Sequence, residues 1–239
     1  MVCPEDFCER ISGHTVIRIW RRAKYLVFDL SGDLSLIVHL RMSGRLEWKP
    51  AEAPRLKHEH LVLAFAGGHE LRLHDTRKFG RVWLTDEPLS VLGKLGPEPL
   101  DASFTPAMLA TGLKSKQRQL KPLLLDQSFV AGLGNIYVDE ALWEAGLRPT
   151  RTAASLSAAE AVSLHAAIRT VLERGLRNSG TTLGSGQGNF YSVAKRRGRN
   201  ADELKVFRRD GEACPRCGAT IERLIVGQRS THVCPGCQR

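Results

Sequence analysis

The 239-residue chain lacks any apolar run approaching the roughly 20 residues needed to span a bilayer. Its first residues, Met1-Val2-Cys3-Pro4-Glu5-Asp6, are acidic and carry no apolar signal segment. Both absences argue against membrane insertion and secretion, so the expectation is a cytosolic protein. No internal repeat is visible, which excludes a solenoid or propeller. Acidic residues are scarce, with 25 Asp and Glu against 35 Lys and Arg, a formal net charge of +10 and a pI of about 9.6. That excess favours an anionic partner, nucleic acid being the commonest, although a merely soluble basic protein would carry it too. Hydrophobic residues make up 42%, enough for a core and against wholesale disorder.

Cysteine is not abundant either, but its placement is informative. Of six cysteines, four form two pairs, Cys214-x2-Cys217 and Cys234-x2-Cys237, separated by 16 residues. In a reducing compartment this pattern favours a metal over disulfides. Two knuckles at this spacing match a zinc ribbon, and four thiolates close the zinc tetrahedron, so the expected ion is one structural Zn2+. Between Gly184 and Arg239 there are eleven Lys or Arg and five Asp or Glu, a local net of +6. The finger is therefore expected to help bind DNA; a ribbon that only braces a domain is the alternative. Cys3 and Cys8 read as ordinary thiols.

The first part of the chain reads as strands: Tyr25–Leu30, a Ser31-Gly32-Asp33 turn, Leu34–Met42, His60–Phe65 and Glu70–His74 around Gly67-Gly68, and Arg81–Leu84. Short strands with turns between them suggest a sandwich or barrel layer. Beyond Gly96-Pro97-Glu98-Pro99 the pattern becomes helical. Ser157-x-x-Glu160 is a capping-box signature, followed by a stripe of Val162, Ala166, Val171, Leu172 and Leu176 with Gly180 just past its end. Residues 184–198 are glycine-rich and polar, and read as a mobile loop.

Several stretches together resemble the formamidopyrimidine-DNA glycosylase family, in that family's order and over essentially the whole chain. They are Arg22-Ala23-Lys24-Tyr25-Leu26, His39-Leu40-x-Met42-Ser43-Gly44, Lys57-His58-Glu59-His60, Asp75-x-Arg77-x-Phe79-Gly80, Gly132-Leu133-Gly134-Asn135-Ile136-Tyr137, and Gln228-Arg229-Ser230-Thr231 before the last cysteines. The resemblance implies an α+β fold. A two-layer antiparallel β-sandwich over 1–99 would precede a helix–two-turn–helix domain over 100–200 and a zinc-finger hairpin over 201–239. It also implies a monomeric base-excision enzyme that flips an oxidised purine, 8-oxoguanine or a formamidopyrimidine, out of double-stranded DNA. Such an enzyme cleaves the glycosidic bond and nicks the strand by β,δ-elimination.

Residue by residue, the resemblance implies that Lys24 assists β-elimination and Arg229 serves δ-elimination. Met42, Arg77 and Phe79 would fill the vacated stack, Arg77 meeting the orphaned cytosine. His58, Lys116 and Asn135 would contact phosphates, with Asn135 also N-capping the next helix. Asn189, Phe190 and Tyr191 would lie in a loop closing over the flipped base; a basic linker is the alternative. On the residues alone, Met42 and Phe79 read as core, Lys24 as a phosphate-binding or solvated lysine, and His58 as a surface histidine. The family more often has Pro-Arg-Arg where this chain has Thr76-Arg77-Lys78.

One departure is larger. The family's nucleophile is an N-terminal proline in a Pro-Glu-Leu-Pro-Glu segment, and this sequence has none. Pro4-Glu5 is neither terminal nor aligned with it. The chain as written is thus expected to lack a first helix and strand, to leave a sheet edge unpaired and some core exposed, and to be poorly soluble. It is also expected not to be trapped on lesion DNA by borohydride. A misassigned start and a truncated, non-catalytic binder of damaged DNA are the competing explanations. A general zinc-ribbon protein for RNA or transcription is a third, weaker reading.

Overall fold

The structure, a computed structural model, describes residues 6–183 and 197–239. These form two compact units, one of Met1–Gly93 with Asn178–Ala201 and one of Lys94–Arg177 with Asp202–Arg239. The expected loop at 184–198, with Asn189, Phe190 and Tyr191, lies almost wholly outside the described residues. So do Cys3 and Pro4-Glu5.

The first unit begins with a short helix, α1 (Phe7–Ile11), and then runs through seven strands: β1 (Val16–Arg22), β2 (Tyr25–Leu30), β3 (Ser35–His39), β4 (Gly44–Pro50), β5 (Glu59–Phe65), β6 (His69–Asp75) and β7 (Arg81–Thr85). A single-turn helix, α2 (Leu89–Leu92), closes it. The strands make two antiparallel sheets of order β1-β2-β3-β7 and β4-β6-β5. Phe28, Leu30, Leu36 and Val38 from the first sheet share a core with Leu46, Leu71 and Leu73 from the second. The β5–β6 turn uses Gly67 and Gly68, both at positive φ (+91° and +73°), where a side chain would strain the backbone.

β1 and β4 are absent from the sequence reading. β1 is a sheet edge whose Ile17 and Ile19 are exposed. An open apolar pocket of about 630 Å3 lies beside it, lined by Val16, Ile19, Leu26, Phe28, Trp48 and Phe65 among others. In β4 the charged residues Arg45, Glu47 and Lys49 alternate with buried Leu46 and exposed Trp48, yet they are not solvated. Lys49 Nζ donates to Glu59 Oε1 at 2.7 Å and sits 2.6 Å from Glu47 Oε2. Arg72, fully buried, donates to Glu70 and Glu59 and to the carbonyls of Pro50, Ala51, Ala53 and Pro54. This ionic layer packs loop 51–58 against the second sheet.

The layer makes the unit acid-labile. Burial raises the Glu47 and Glu59 carboxyls, but Lys49 and Arg45 on Glu47, and Lys49 and the Leu56 N–H on Glu59, hold both below the usual range. A depressed carboxyl contributes stability that is present above its unfolded pKa and lost as pH falls through the folded one. The melting temperature of the protein is therefore expected to be flat above about pH 5 and to fall steadily below about pH 4.3. A flat profile down to pH 3 by calorimetry would contradict this.

The second unit holds four helices, α3 (Pro106–Lys114), α4 (Leu120–Leu124), α5 (Asn135–Glu144) and α6 (Ala158–Arg177), and the hairpin β8 (Glu222–Val226) and β9 (Arg229–Val233). Thr105 caps α3, accepting from Met108 N at 3.2 Å, with Pro106 in the first turn. The expected capping box of α6 is present: Glu160 N donates to Ser157 Oγ (3.2 Å) and Ser157 N donates to Glu160 Oε2 (2.8 Å). The expected stripe is borne out in part. Val171 is buried and Leu172 packs against the core, whereas Val162, Ala166 and Leu176 are exposed; Ala161, Leu164, Ile168 and Gly175 complete the buried face. Nine residues separate Val162 from Val171, about half a turn of helix, so the expected set spans two faces. A Cβ at Gly175 would collide with the Tyr137 ring of α5. Among the described residues, no helix is long and apolar enough to cross a membrane.

Candidate functional site

In the first unit, Lys24 stands exposed in the two-residue turn between β1 and β2, next to Ala23 at φ +51°. The β2–β3 register places Tyr25 opposite His39, with rings edge-to-face at 4.7 Å. Burial, then Arg41 and Lys24, lower the His39 imidazole to about 4. It is therefore neutral at physiological pH, with Nδ1 accepting from Arg41 N at 3.0 Å. The sequence reading quoted His39 only as part of a motif, because its cationic neighbours come from three separate elements.

The β3–β4 loop presents Met42 and the β6–β7 loop presents Arg77 and Phe79. Met42 is 60% exposed and Phe79 55%, which corrects the reading of both as core. The Arg77 guanidinium lies over the Phe79 ring at 5.8 Å, and Arg77 Nε donates to Ser43 Oγ at 3.3 Å. The two loops are thereby joined beside Met42. His58, at φ +77°, sets its ring edge-on to His60 (6.1 Å) and His74 (5.8 Å).

In the second unit, Lys116 is exposed just after α3. Asn135 is not the N-cap of α5, which corrects that expectation. Gly134, in extended conformation, occupies that position, and Asn135 is the first helical residue. Its Nδ2 donates instead to Ser230 O at 3.0 Å, while its buried Oδ1 has no hydrogen-bond partner among the described residues. Arg229 is exposed at the start of β9, directly after a turn in which Gly227 and Gln228 both have positive φ (+55° and +61°). Such a turn matches the twist of the hairpin.

Two adjacent carboxylates of α5 anchor the C-terminal segment, Asp139 the hairpin and Glu140 the chain at 205–207, and the sequence reading missed both. Asp139 Oδ1 accepts from Lys121 Nζ at 2.6 Å, and its Oδ2 accepts from His232 N at 3.0 Å. Lys121 and Asp139 are fully buried, and Lys121 Nζ also donates to Ser230 O at 2.9 Å. Glu140 accepts from the backbone N–H groups of Lys205, Val206 and Phe207. Burial lowers the Lys121 ammonium, Asp139 opposes that, and Arg229 adds to it. No local signal could reveal these contacts, because the partners are 18 to 109 residues apart.

The four cysteines fit zinc. Their sulfurs lie within 4.8 Å of one another, with Cys214···Cys237 at 3.8 Å and Cys217···Cys234 at 3.4 Å. A Zn–S distance near 2.3 Å implies tetrahedral edges of about 3.8 Å. Burial and the three neighbouring sulfurs push the Cys237 thiol up to about 12, a repulsion that a dication relieves. Around them, Trp143 Nε1 donates to Cys214 Sγ at 3.4 Å, and Gln238 bridges Cys234 N to Leu147 O. The residues thus hold one structural ion whose ligand shell leaves no open position.

Three family models match the chain: the formamidopyrimidine-DNA glycosylase N-terminal domain over residues 1–82, the H2TH domain of the same family over 95–187, and a zinc finger found in this family and in isoleucyl-tRNA synthetase over 211–239. The formamidopyrimidine-DNA glycosylase of Protochlamydia amoebophila is 47% identical over 236 residues, covering 99% of this chain and 86% of that protein. The chain belongs to the formamidopyrimidine-DNA glycosylase family. The Roseiflexus member of this family is 46% identical over 238 residues, with the same coverage. A solved Lactococcus lactis glycosylase, in complex with DNA containing an abasic site, superposes with a TM-score of 0.89 at 38% identity. It covers 98% of this chain and 86% of that one. A second complex of the same enzyme, with DNA carrying an N7-benzyl formamidopyrimidine, gives 0.88 at 38%. The α+β fold, with its β-sandwich, helical region and zinc hairpin, is that of this glycosylase family.

Proposed function

We propose that this protein is a base-excision DNA repair enzyme, a glycosylase and AP lyase that removes oxidised purines from duplex DNA. Its segments 1–99, 100–200 and 201–239 would then serve catalysis, duplex binding and the finger. The observation that supports this most is the exposure of Met42 and Phe79 beside Arg77 on two joined loops. Large apolar side chains held out on loops are costly unless something covers them, and a stack of bases with one base removed is such a cover. Between them, a guanidinium can hydrogen-bond the base left behind.

In this reading Lys24 and Arg229 attend the elimination steps. Both are exposed cations, Lys24 within a two-residue turn and Arg229 directly after one, where a substrate can reach them. His58, Lys116 and Asn135 meet the phosphate backbone. With a net charge of +10, affinity should fall linearly in a plot of log K against log salt. The protein works as a monomer in the cytoplasm or nucleoid, on double-stranded DNA.

The direct test is excision from a duplex carrying one formamidopyrimidine or 8-oxoguanine, with strand nicking read on a gel and binding read separately by anisotropy. Binding that fails to distinguish lesion duplex from undamaged duplex would overturn the reading. Phe79→Ala is expected to weaken binding to an abasic-site duplex roughly tenfold, about the worth of one stacking contact, and to leave undamaged-duplex binding within twofold.

A further inference from the structure

The carboxylate of Asp75 is fully buried at the end of β6, yet it sits under two loops that project large side chains into solvent. Its Oδ1 accepts from Ser43 Oγ at 2.5 Å and from Arg77 N at 3.3 Å. Its Oδ2 accepts from Gly80 N at 2.7 Å. Ser43 immediately follows Met42 and takes a further bond from Arg77 Nε. The same residue ties in the backbone of the neighbouring loop. Asp75 N donates to His58 O at 2.9 Å, and His60 Nε2 lies 3.0 Å from Asp75 O. Each loop that carries a member of the Met42, Arg77, Phe79 trio therefore has a bond to one carboxylate.

The surrounding residues are shaped around that carboxylate. A Cβ at Gly80 would lie 3.1 Å from Asp75 Oδ2, so a side chain there would push the carboxylate off its donors. Between Arg77 and Phe79, Lys78 takes φ +57°, and the turn leaves both neighbours exposed while the N–H groups of Arg77 and Gly80 reach Asp75. These donor bonds hold the Asp75 carboxyl below its usual range against the opposing effect of burial, so it remains a pure acceptor at neutral pH.

We propose that Asp75 is a positioning residue that locks Met42, Arg77 and Phe79 into one rigid wedge and thereby sets which base is preferred opposite the lesion. The proposal rests on reading the trio as the residues that enter the duplex. Arg77 discriminates an orphaned base only if its guanidinium is held in one pose. Discrimination built on a flexible side chain loses selectivity before it loses affinity.

The test compares duplexes with a tetrahydrofuran abasic site opposite cytosine and opposite adenine, using the full chain. Asp75→Asn keeps the size but turns one acceptor into a donor facing N–H groups. It is expected to lower the cytosine-to-adenine affinity ratio at least fivefold while undamaged-duplex affinity and zinc content stay within twofold. Ser43→Ala, which leaves Asp75 with its backbone donors, guards against a folding failure and should lower the ratio two- to threefold. Arg77→Ala separates the two ideas. If Arg77→Ala abolishes the ratio while folded Asp75→Asn or Ser43→Ala keeps it, the positioning role is overturned and the trio stands. If Arg77→Ala leaves the ratio intact, both are overturned. Loss of the ratio in all three variants supports the proposal.

Discussion

Removing zinc with a strong chelator is expected to unfold the C-terminal hairpin and abolish lesion-duplex binding by at least a hundredfold. The apolar support of the finger is small. Its buried apolar cluster consists of Trp143, Val206, Cys214, Ile221 and Cys234, so two of its five members are themselves ligands. A structural zinc contributes an apparent ~10–16 kcal/mol, as much as the whole stability of many domains. Without it, four crowded thiols replace one closed shell, and Arg229 loses its fixed turn. Hydrogen exchange would show the effect locally: amides of β8 and β9 should lose protection while those of α3, α5 and α6 keep theirs. Metal analysis should fall from one zinc per chain to none. A metal-free protein whose hairpin amides remain protected would contradict the expectation.

The second large effect is expected from Lys121→Met. This change removes the only side-chain cation on Asp139 Oδ1 among the described residues and leaves a fully buried carboxylate with donors on one oxygen alone. Breaking such a pair from one side costs about 3–5 kcal/mol, whereas replacing both partners by apolar groups is often close to neutral. At ~2–4 °C per kcal/mol for a chain of this size, the melting temperature should drop by roughly 10 °C. The double variant Lys121→Met with Asp139→Leu should recover much of that loss. Activity should not recover with it, because Ser230 O loses its Lys121 donor and His232 N its Asp139 acceptor, which leaves the Arg229 turn held from below by Asn135 Nδ2 with two of its bonds gone. A Lys121→Met protein within 1 kcal/mol of the parent in denaturant titration would sink this account.

What could be read from the sequence followed physical range. The four cysteines were legible because ligand spacing is local, and β2, β5 and β6 because alternation and glycine turns are local. The capping box of α6 was legible for the same reason. β4 was not, because nothing local in its alternating Arg45, Glu47 and Lys49 shows that the fold closes an ionic layer over them. The α6 stripe was half right because its residues came from two faces of the helix: Val171 and Leu172 meet the core, and the rest of the buried face includes Gly175, which only the folded neighbour Tyr137 explains. Asn135 was assigned as a cap from its residue type, but its amide serves the hairpin 95 residues away. The candidate site divides in the same way. Residues that project, such as Lys24, Arg77 and Arg229, came with the family motifs. Those that hold them, Asp75, Lys121 and Asp139, carry no mark of their own until the chain is folded.

The turn before Arg229 has a bearing on protein engineering. A Cβ at Gly227 would lie 2.8 Å from Pro122 Cγ, and the position also needs φ +55°. It is therefore closed to diversification, while Gln228 beside it is exposed and open to any residue that tolerates a left-handed backbone. A library aimed at redirecting Arg229 gains nothing from randomising position 227. The productive variable is hairpin length, since inserting a residue changes where the arginine points without asking Pro122 to move.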